Sequence, residues 1–142
     1  MKGKIFFDTN FFVYLFSRSE PEKRNHCLAL MDTLGKGSNT LVWSTQVVQE
    51  FYVTMTRKFQ KDPQLVKSSI RLFHHMELVV NSMNTIEQAI DIQTTAQLSF
   101  WDSLVISAAQ QAHCTILISE DLNDGQIIQG IEIRNPFSLK VL

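Results

Sequence analysis

Short apolar runs alternate along the chain with stretches whose apolar residues recur every three or four positions. Lys4-Ile5-Phe6-Phe7 is a run that stops at Asp8 and reads as a buried strand, followed by a helical turn or two over NFFVYLFSR. Residues 20–34 read as a helix, with Pro21 in its first turn and Cys27, Leu30, Met31 and Leu34 on one face; Gly35 and Gly37 end it. Thr40–Ser44 is a second strand. A helix then starts at Ser44 or Thr45, both good caps, and runs to about Gln60, with a stripe of Val47, Val48, Phe51, Met55 and Phe59. Pro63 opens another helix to about His75, Glu77–Val80 is a third strand, and residues 84–97 and 100–113 form two more helices. Thr115–Ser119 is a fourth strand, and Ile131–Pro136 reads as a short edge strand closed by proline. Strands that alternate with helices predict an α/β fold with a mainly parallel sheet.

Composition fits this picture. A chain of 142 residues suits one domain, 1–142, with 44% hydrophobic and 19% charged residues. The formal charge is −1, from 13 basic and 14 acidic side chains, so no broad basic field announces nucleic acid. A nucleic-acid site must therefore be a local patch or draw positive charge from metal ions. Cys27 and Cys114 form no C-x-x-C pair and suit a reducing compartment. The N-terminal stretch has lysines ahead of apolar residues, as a leader would. Asp8 and Asn10 interrupt it, and no small-residue cleavage site follows. No stretch approaches a membrane span. The expected location is the cytoplasm.

The candidate chemistry lies in four acids. In open parallel sheets ligands bind beyond the carboxyl ends of the strands. Asp8 directly follows the first strand, Asp121 follows the fourth by two residues, and Glu50 lies early in the helix after the second. Asp102 begins the helix before the fourth strand. Each has a plainer reading. Asp8 could cap a helix, Asp102 could complete the S-x-x-D box with Ser99, Asp121 could start a turn with Asn123 and Gly125, and Glu50 could be a solvated helix residue. Taken jointly, the acids stand among apolar neighbours: FF before Asp8, Phe51 beside Glu50, FW before Asp102. Carboxylates so placed resist joint ionisation unless a cation compensates them. Hard oxygen donors select Mg²⁺ or Mn²⁺ over Zn²⁺.

The segments FFDTNFFVYLF, VVQEFY, FWDSLVISAA and ILISEDLNDGQ resemble, in order and spacing, the successive acidic motifs of PIN domains, and most closely those of small bacterial VapC-type toxins. The likeness spans nearly the whole chain. It implies a three-layer α/β/α sandwich around a central parallel sheet, metal-dependent cleavage of RNA, a small cognate antitoxin and a homodimer. By this resemblance Asp8, Glu50, Asp102 and Asp121 are the catalytic, metal-holding acids. Asn10 is the polar companion of Asp8, and Ser119 the hydroxyl residue ahead of Asp121. Asp124 could share or replace the role of Asp121. Two metal ions roughly 3.5–4 Å apart can serve both the attacking and the leaving oxygen of a phosphodiester, and four carboxylates are about what such a pair needs.

Other features carry less. At 3.6 residues per turn Arg57 and Lys61 share the helix face of Glu50, a track for an RNA backbone or simply a solvated helix end. Trp43, Phe100 and Trp101 could stack bases but are expected in the core. His26, His74, His75 and His113 are scattered, and the adjacent pair diverges by about 100° on a helix, so no zinc site is expected. There is no G-x-S-x-G, Walker loop or G-x-G-x-x-G. Rival readings are a phosphoaspartyl phosphatase or transferase with Asp8 as nucleophile, and a non-catalytic binding module of the same fold. The first usually has a second aspartate where Asn10 stands, and the complete acid set opposes the second. A flap-type DNA nuclease would carry insertions this chain lacks.

Overall fold

A computed structural model describes residues 3–140; Met1, Lys2, Val141 and Leu142, the ends of the expected 1–142 domain, lie outside it. The chain runs β1 (Lys4–Phe7), α1 (Thr9–Leu15), α2 (Pro21–Lys36), β2 (Thr40–Ser44), α3 (Thr45–Val53), α4 (Pro63–Arg71) and β3 (Glu77–Val79). It continues through α5 (Met83–Ala96), α6 (Phe100–Gln111), β4 (Ile116–Ile118), β5 (Ile127–Ile128) and β6 (Ile131–Arg134). Helix starts carry side-chain caps. Ser44, Asp62, Ser82 and Ser99 each accept an amide of the following turn, and Ser82 and Thr85 close a reciprocal box.

The six strands order β3-β2-β1-β4-β6-β5, all parallel except β5, which pairs antiparallel with β6. Helices α1–α3 pack together and α5 packs along α6, giving the helical layers of an α/β/α sandwich. The innermost strands are apolar on both faces, as a covered parallel sheet demands: Phe6, Phe7, Val42, Leu117 and Ile118 are all buried. Phe12 joins the sheet to the first helical layer. Its ring lies 4.9 Å from Trp43, 5.3 Å from Phe73 and 6.4 Å from Phe51, centroid to centroid. Among the described residues no helix is long and apolar enough to cross a membrane.

Four sequence expectations change. First, Ile131–Arg134 is not an edge strand; it pairs with β4 on one side and β5 on the other. The edge is β5, joined to β6 by Gln129-Gly130, both with positive φ (52° and 77°), the backbone of a two-residue hairpin turn. Second, the helix expected to reach Gln60 keeps α-geometry only to Val53 and widens into a π-turn over Thr54–Lys58, where the Phe59 amide donates to the Thr54 carbonyl. Third, the helix from Pro63 ends at Arg71, before the adjacent histidines. Fourth, Trp101 is not in the core: it is 64% exposed, whereas Trp43 is buried.

Candidate functional site

Strand β1 has β2 on one side and β4 on the other, so the strand order reverses between β1 and β4, which puts the ligand crevice of an open parallel sheet beyond their carboxyl ends. Asp8 and Asp121 leave the sheet there. The Asp8 amide donates to the Ile118 carbonyl at 3.0 Å, which extends the β1–β4 ladder by one rung. Glu50 comes to the same rim from α3, and Asp102 from the first turn of α6.

Asp8 is buried and fully engaged. Its Oδ1 accepts from the Thr9 amide at 2.8 Å and its Oδ2 from the Ser119 hydroxyl at 3.0 Å. It is thus the N-cap of α1. Ser119 is itself buried and also accepts from the Asp121 amide at 3.3 Å, so one hydroxyl ties both aspartates to the end of β4. The Asn10 side-chain amide lies against both Asp121 oxygens, at 3.2 and 3.4 Å. Gln46, one turn before Glu50 on α3, donates to the Trp101 carbonyl at 3.2 Å and so links α3 to the start of α6.

The electrostatics couple these groups. Burial, first of all, raises the Asp8 pKa to about 6 against the hydrogen bonds from Thr9 and Ser119, and the charges of Asp121 and Glu50 push it further up. Glu50 is raised by partial burial of its carboxyl, opposed by Gln46, and then by the charge of Asp102. Asp121 is raised by burial, then by Asp102 and Glu120. Every one of the four acids therefore feels or exerts charge on more than one of the others. The Asp124 carboxylate accepts from the Asn135 amide at 2.7 Å and lies 3.5 Å from Arg134 Nε, which pins the β4–β5 connection to the end of β6.

The donor set suits a hard divalent cation: carboxylates, with no thiol or imidazole among them. Among the described residues four buried side-chain oxygens have no hydrogen-bond partner, and two of them, Thr9 Oγ1 and Gln46 Oε1, belong to residues that act on the Glu50 carboxyl. Such orphaned acceptors fit the water shell of a cation. Among the described residues no three acidic, histidine or cysteine side chains stand close enough to cage an ion by direct contacts alone. The fit therefore rests on donor chemistry and on mutual charge.

Sequence reasoning passed over Gln46 and Thr9. The spacing of Gln46 from Glu50 was a usable signal, since residues four apart share a helix face. For the orphaned hydroxyl of Thr9 the sequence holds none. Arg57 is exposed on the π-turn, and Lys61 lies beyond the helix, so the face-sharing premise for this pair fails with the loss of α-geometry after Val53.

The family model described as PIN domain matches residues 5–123. No curated protein sequence matches the chain. Among solved structures, a toxin–antitoxin complex from Klebsiella pneumoniae aligns with TM-score 0.70 at 18% identity, covering 95% of this chain and 99% of that one. VapBC2 from Rickettsia felis, bound to a DNA fragment from its promoter, aligns with TM-score 0.66 at 17% identity over 93% and 98%. Mycobacterium tuberculosis VapC20, described as a toxin cleaving the sarcin-ricin loop, also aligns with TM-score 0.66 at 17% identity, over 82% and 91%.

Proposed function

Because the chain belongs to the PIN-domain family, we propose that it is a metal-dependent endoribonuclease and the toxin of a toxin–antitoxin pair. The observation that carries this reading is the set of four mutually coupled carboxylates at the reversal of the strand order. Asp8, Glu50, Asp102 and Asp121 would hold Mg²⁺ or Mn²⁺. A divalent cation bound there supplies activation of water and neutralisation of the phosphodiester charge. The chain's own residues position it. Ser119 fixes Asp8 and the Asp121 backbone, Asn10 fixes the Asp121 carboxylate, and Gln46 joins the helices that carry Glu50 and Asp102. Asp8 takes up a proton more readily than a free aspartate, so below about pH 6 an empty site would hold fewer negative charges than its four carboxyls suggest.

The assignment of RNA as substrate draws on the resemblance to VapC toxins. Two of the similar structures are toxin–antitoxin assemblies, and an acidic crevice without its cation attracts a guanidinium. An antitoxin arginine reaching this crevice would block it. A homodimer acting in the cytoplasm completes the reading.

The test is cleavage of assorted RNAs with Mg²⁺ or Mn²⁺, with a chelator, and by Asp8→Asn and Asp102→Asn. Activity should need the ion and fall by at least roughly a hundredfold in either variant, with the fold intact by circular dichroism. Wild-type rates in Asp8→Asn, with contaminating nuclease excluded, would refute the reading.

A further inference from the structure

Two small recesses lie beside α1, and the first meets the acid cluster through Asn10. The nearer, about 160 Å³, is lined by Asn10, Tyr14, Ser17, Ser19, Lys58 and Phe59. Asn10 is shared, because its amide also contacts Asp121. The second, about 140 Å³, shares Ser17, Ser19 and Phe59 with the first and adds Arg18 and Lys61. From these we infer that a single RNA strand leaving the acid cluster runs along α1, past Asn10, between Lys58 and Phe59, to Arg18 and Lys61. The inference rests on the ribonuclease reading and names the path of its substrate.

Four observations support the path. Among the described residues no carboxylate lies within 4 Å of the charged nitrogens of Lys58, Arg18 or Lys61, so each is open to a phosphate. Glu20, the acid in the nearer recess, is engaged by Lys23 at 3.5 Å. The Ser17 and Ser19 hydroxyls, 3.3 Å apart, add donors to the recess floor. Finally, Lys58 Nζ stands 5.5 Å from the Phe59 ring centroid, which sets a cation beside an aromatic face, the pairing that single-strand sites use for phosphate and base. The π-turn makes this possible. It replaces the register in which Arg57 would follow Glu50 with one in which Lys58 lines the recess and the chain turns to bring in Lys61.

A polypeptide is the other class of occupant. It suits better the larger recess, about 550 Å³, where Leu15, Phe51, Met55, Leu65 and Leu72 dominate. The recess beside Asn10 is mainly polar and meets the acid cluster through Asn10, whereas the second recess shares Phe16, Met55, Arg18 and Lys61 with the larger one, so the RNA path ends where that apolar wall begins.

The test is fluorescence anisotropy with a labelled single-stranded RNA of about twelve nucleotides, in chelator so that no RNA is consumed, across a range of salt. The proteins are wild type, Lys58→Ala, Lys61→Ala, the double variant and Lys36→Ala. Lys36 bonds to Asp32 at the far end of α2 and controls for net charge. Each lysine on the path should lower the slope of log affinity against log salt by roughly 0.7, and weaken binding roughly three- to fivefold near physiological salt. The double variant should combine both losses, and Lys36→Ala should match wild type. If wild type binds and the two path variants keep its affinity and slope, the path is overturned, the recess is left to a polypeptide, and the ribonuclease reading stands. If wild type does not bind, the path is equally overturned. The ribonuclease reading fails separately, only if metal-dependent cleavage is absent.

Discussion

Replacing Asp8 by Asn should stabilise the protein while abolishing its proposed chemistry. The Asp8 carboxyl is buried, and its pKa is raised from an ordinary 3.8 to about 6. At neutral pH the folded state thus holds a charge it disfavours, by about 3 kcal/mol at roughly 1.4 kcal/mol per tenfold shift in proton affinity. The sign follows from linkage. The native state binds more protons than the unfolded chain between these two values. The penalty is therefore absent below about pH 4, grows as pH rises towards about 6, and is complete above it. Asn is near in size to protonated Asp and remains a good N-cap for the Thr9 amide. It also loses a carboxylate acceptor for the Ser119 hydroxyl, which offsets about 1 kcal/mol of the gain. A net stabilisation of about 1–2 kcal/mol near pH 7.5 should remain, or roughly 3–6 °C in Tm. It should shrink to nothing or reverse near pH 4. Urea unfolding of both proteins at several pH values, with a chelator present throughout, measures this directly. Millimolar Mg²⁺ should narrow the difference if Asp8 holds the ion, because only the wild type gains from binding. A stability difference that did not change with pH, or a variant weaker than wild type at pH 7.5, would refute the account of Asp8 as a strained charge.

Three further outcomes are expected. Ser119→Ala removes the donor to Asp8 and the acceptor of the Asp121 amide inside a buried site; urea unfolding near pH 7.5 should show a loss of roughly 1–3 kcal/mol. Gly130→Ala places its Cβ in open space but at φ 77°, so any cost is conformational, about 1 kcal/mol by thermal unfolding, and Gly130→Asn should recover part of it. Acrylamide should quench only part of the tryptophan emission, that of Trp101, and Trp101→Phe should leave the shielded signal of Trp43.

The fold was largely legible because it depends on patterns that the covalent sequence displays. Short apolar runs such as KIFF and TLVWS, bounded by Asp8 and by Gly37 and Ser44, are too short for a buried helix and fit strands, and Ser44 and Ser99 cap where the periodicity begins. What escaped notice depends on backbone geometry that side-chain type constrains weakly. The β5–β6 hairpin turns on Gln129-Gly130. Gly130 was a visible mark of positive φ, but Gln129 adopts the same region without the Asn or Asp that would announce a turn. Trp101 was assigned inward because large aromatics usually are. It stands instead in the first turn of α6, ahead of the buried run that begins at Ser103, with its indole exposed.

At the site, the same division explains why the acids could be located from sequence while their surroundings could not. An acid that follows a strand, or begins a helix next to one, is carried to the rim by the topology alone, whatever its neighbours. The groups that tune it are placed by packing. Thr9 Oγ1 is buried without a hydrogen-bond partner in the first turn of α1, the turn that also buries Phe11 and Phe12. The cations beside the crevice are placed by a backbone irregularity. An unbroken α-helix from Thr45 would carry Arg57 and Lys61 down the face of Glu50. The π-turn interrupts it, and the cations from this stretch that line the recesses are Lys58, in the recess of Asn10, and Lys61, in the recess of Arg18. π-Turns give up favourable α-helical hydrogen bonding and recur where function places a side chain. Here the turn follows the helix that bears Glu50 and ends on Lys58, a cation of the recess that includes Asn10. If straightening it displaced Lys58 without touching an acid, RNA affinity should fall while the ion requirement of cleavage stayed the same. That separation is what distinguishes a substrate path from the metal site it leads to.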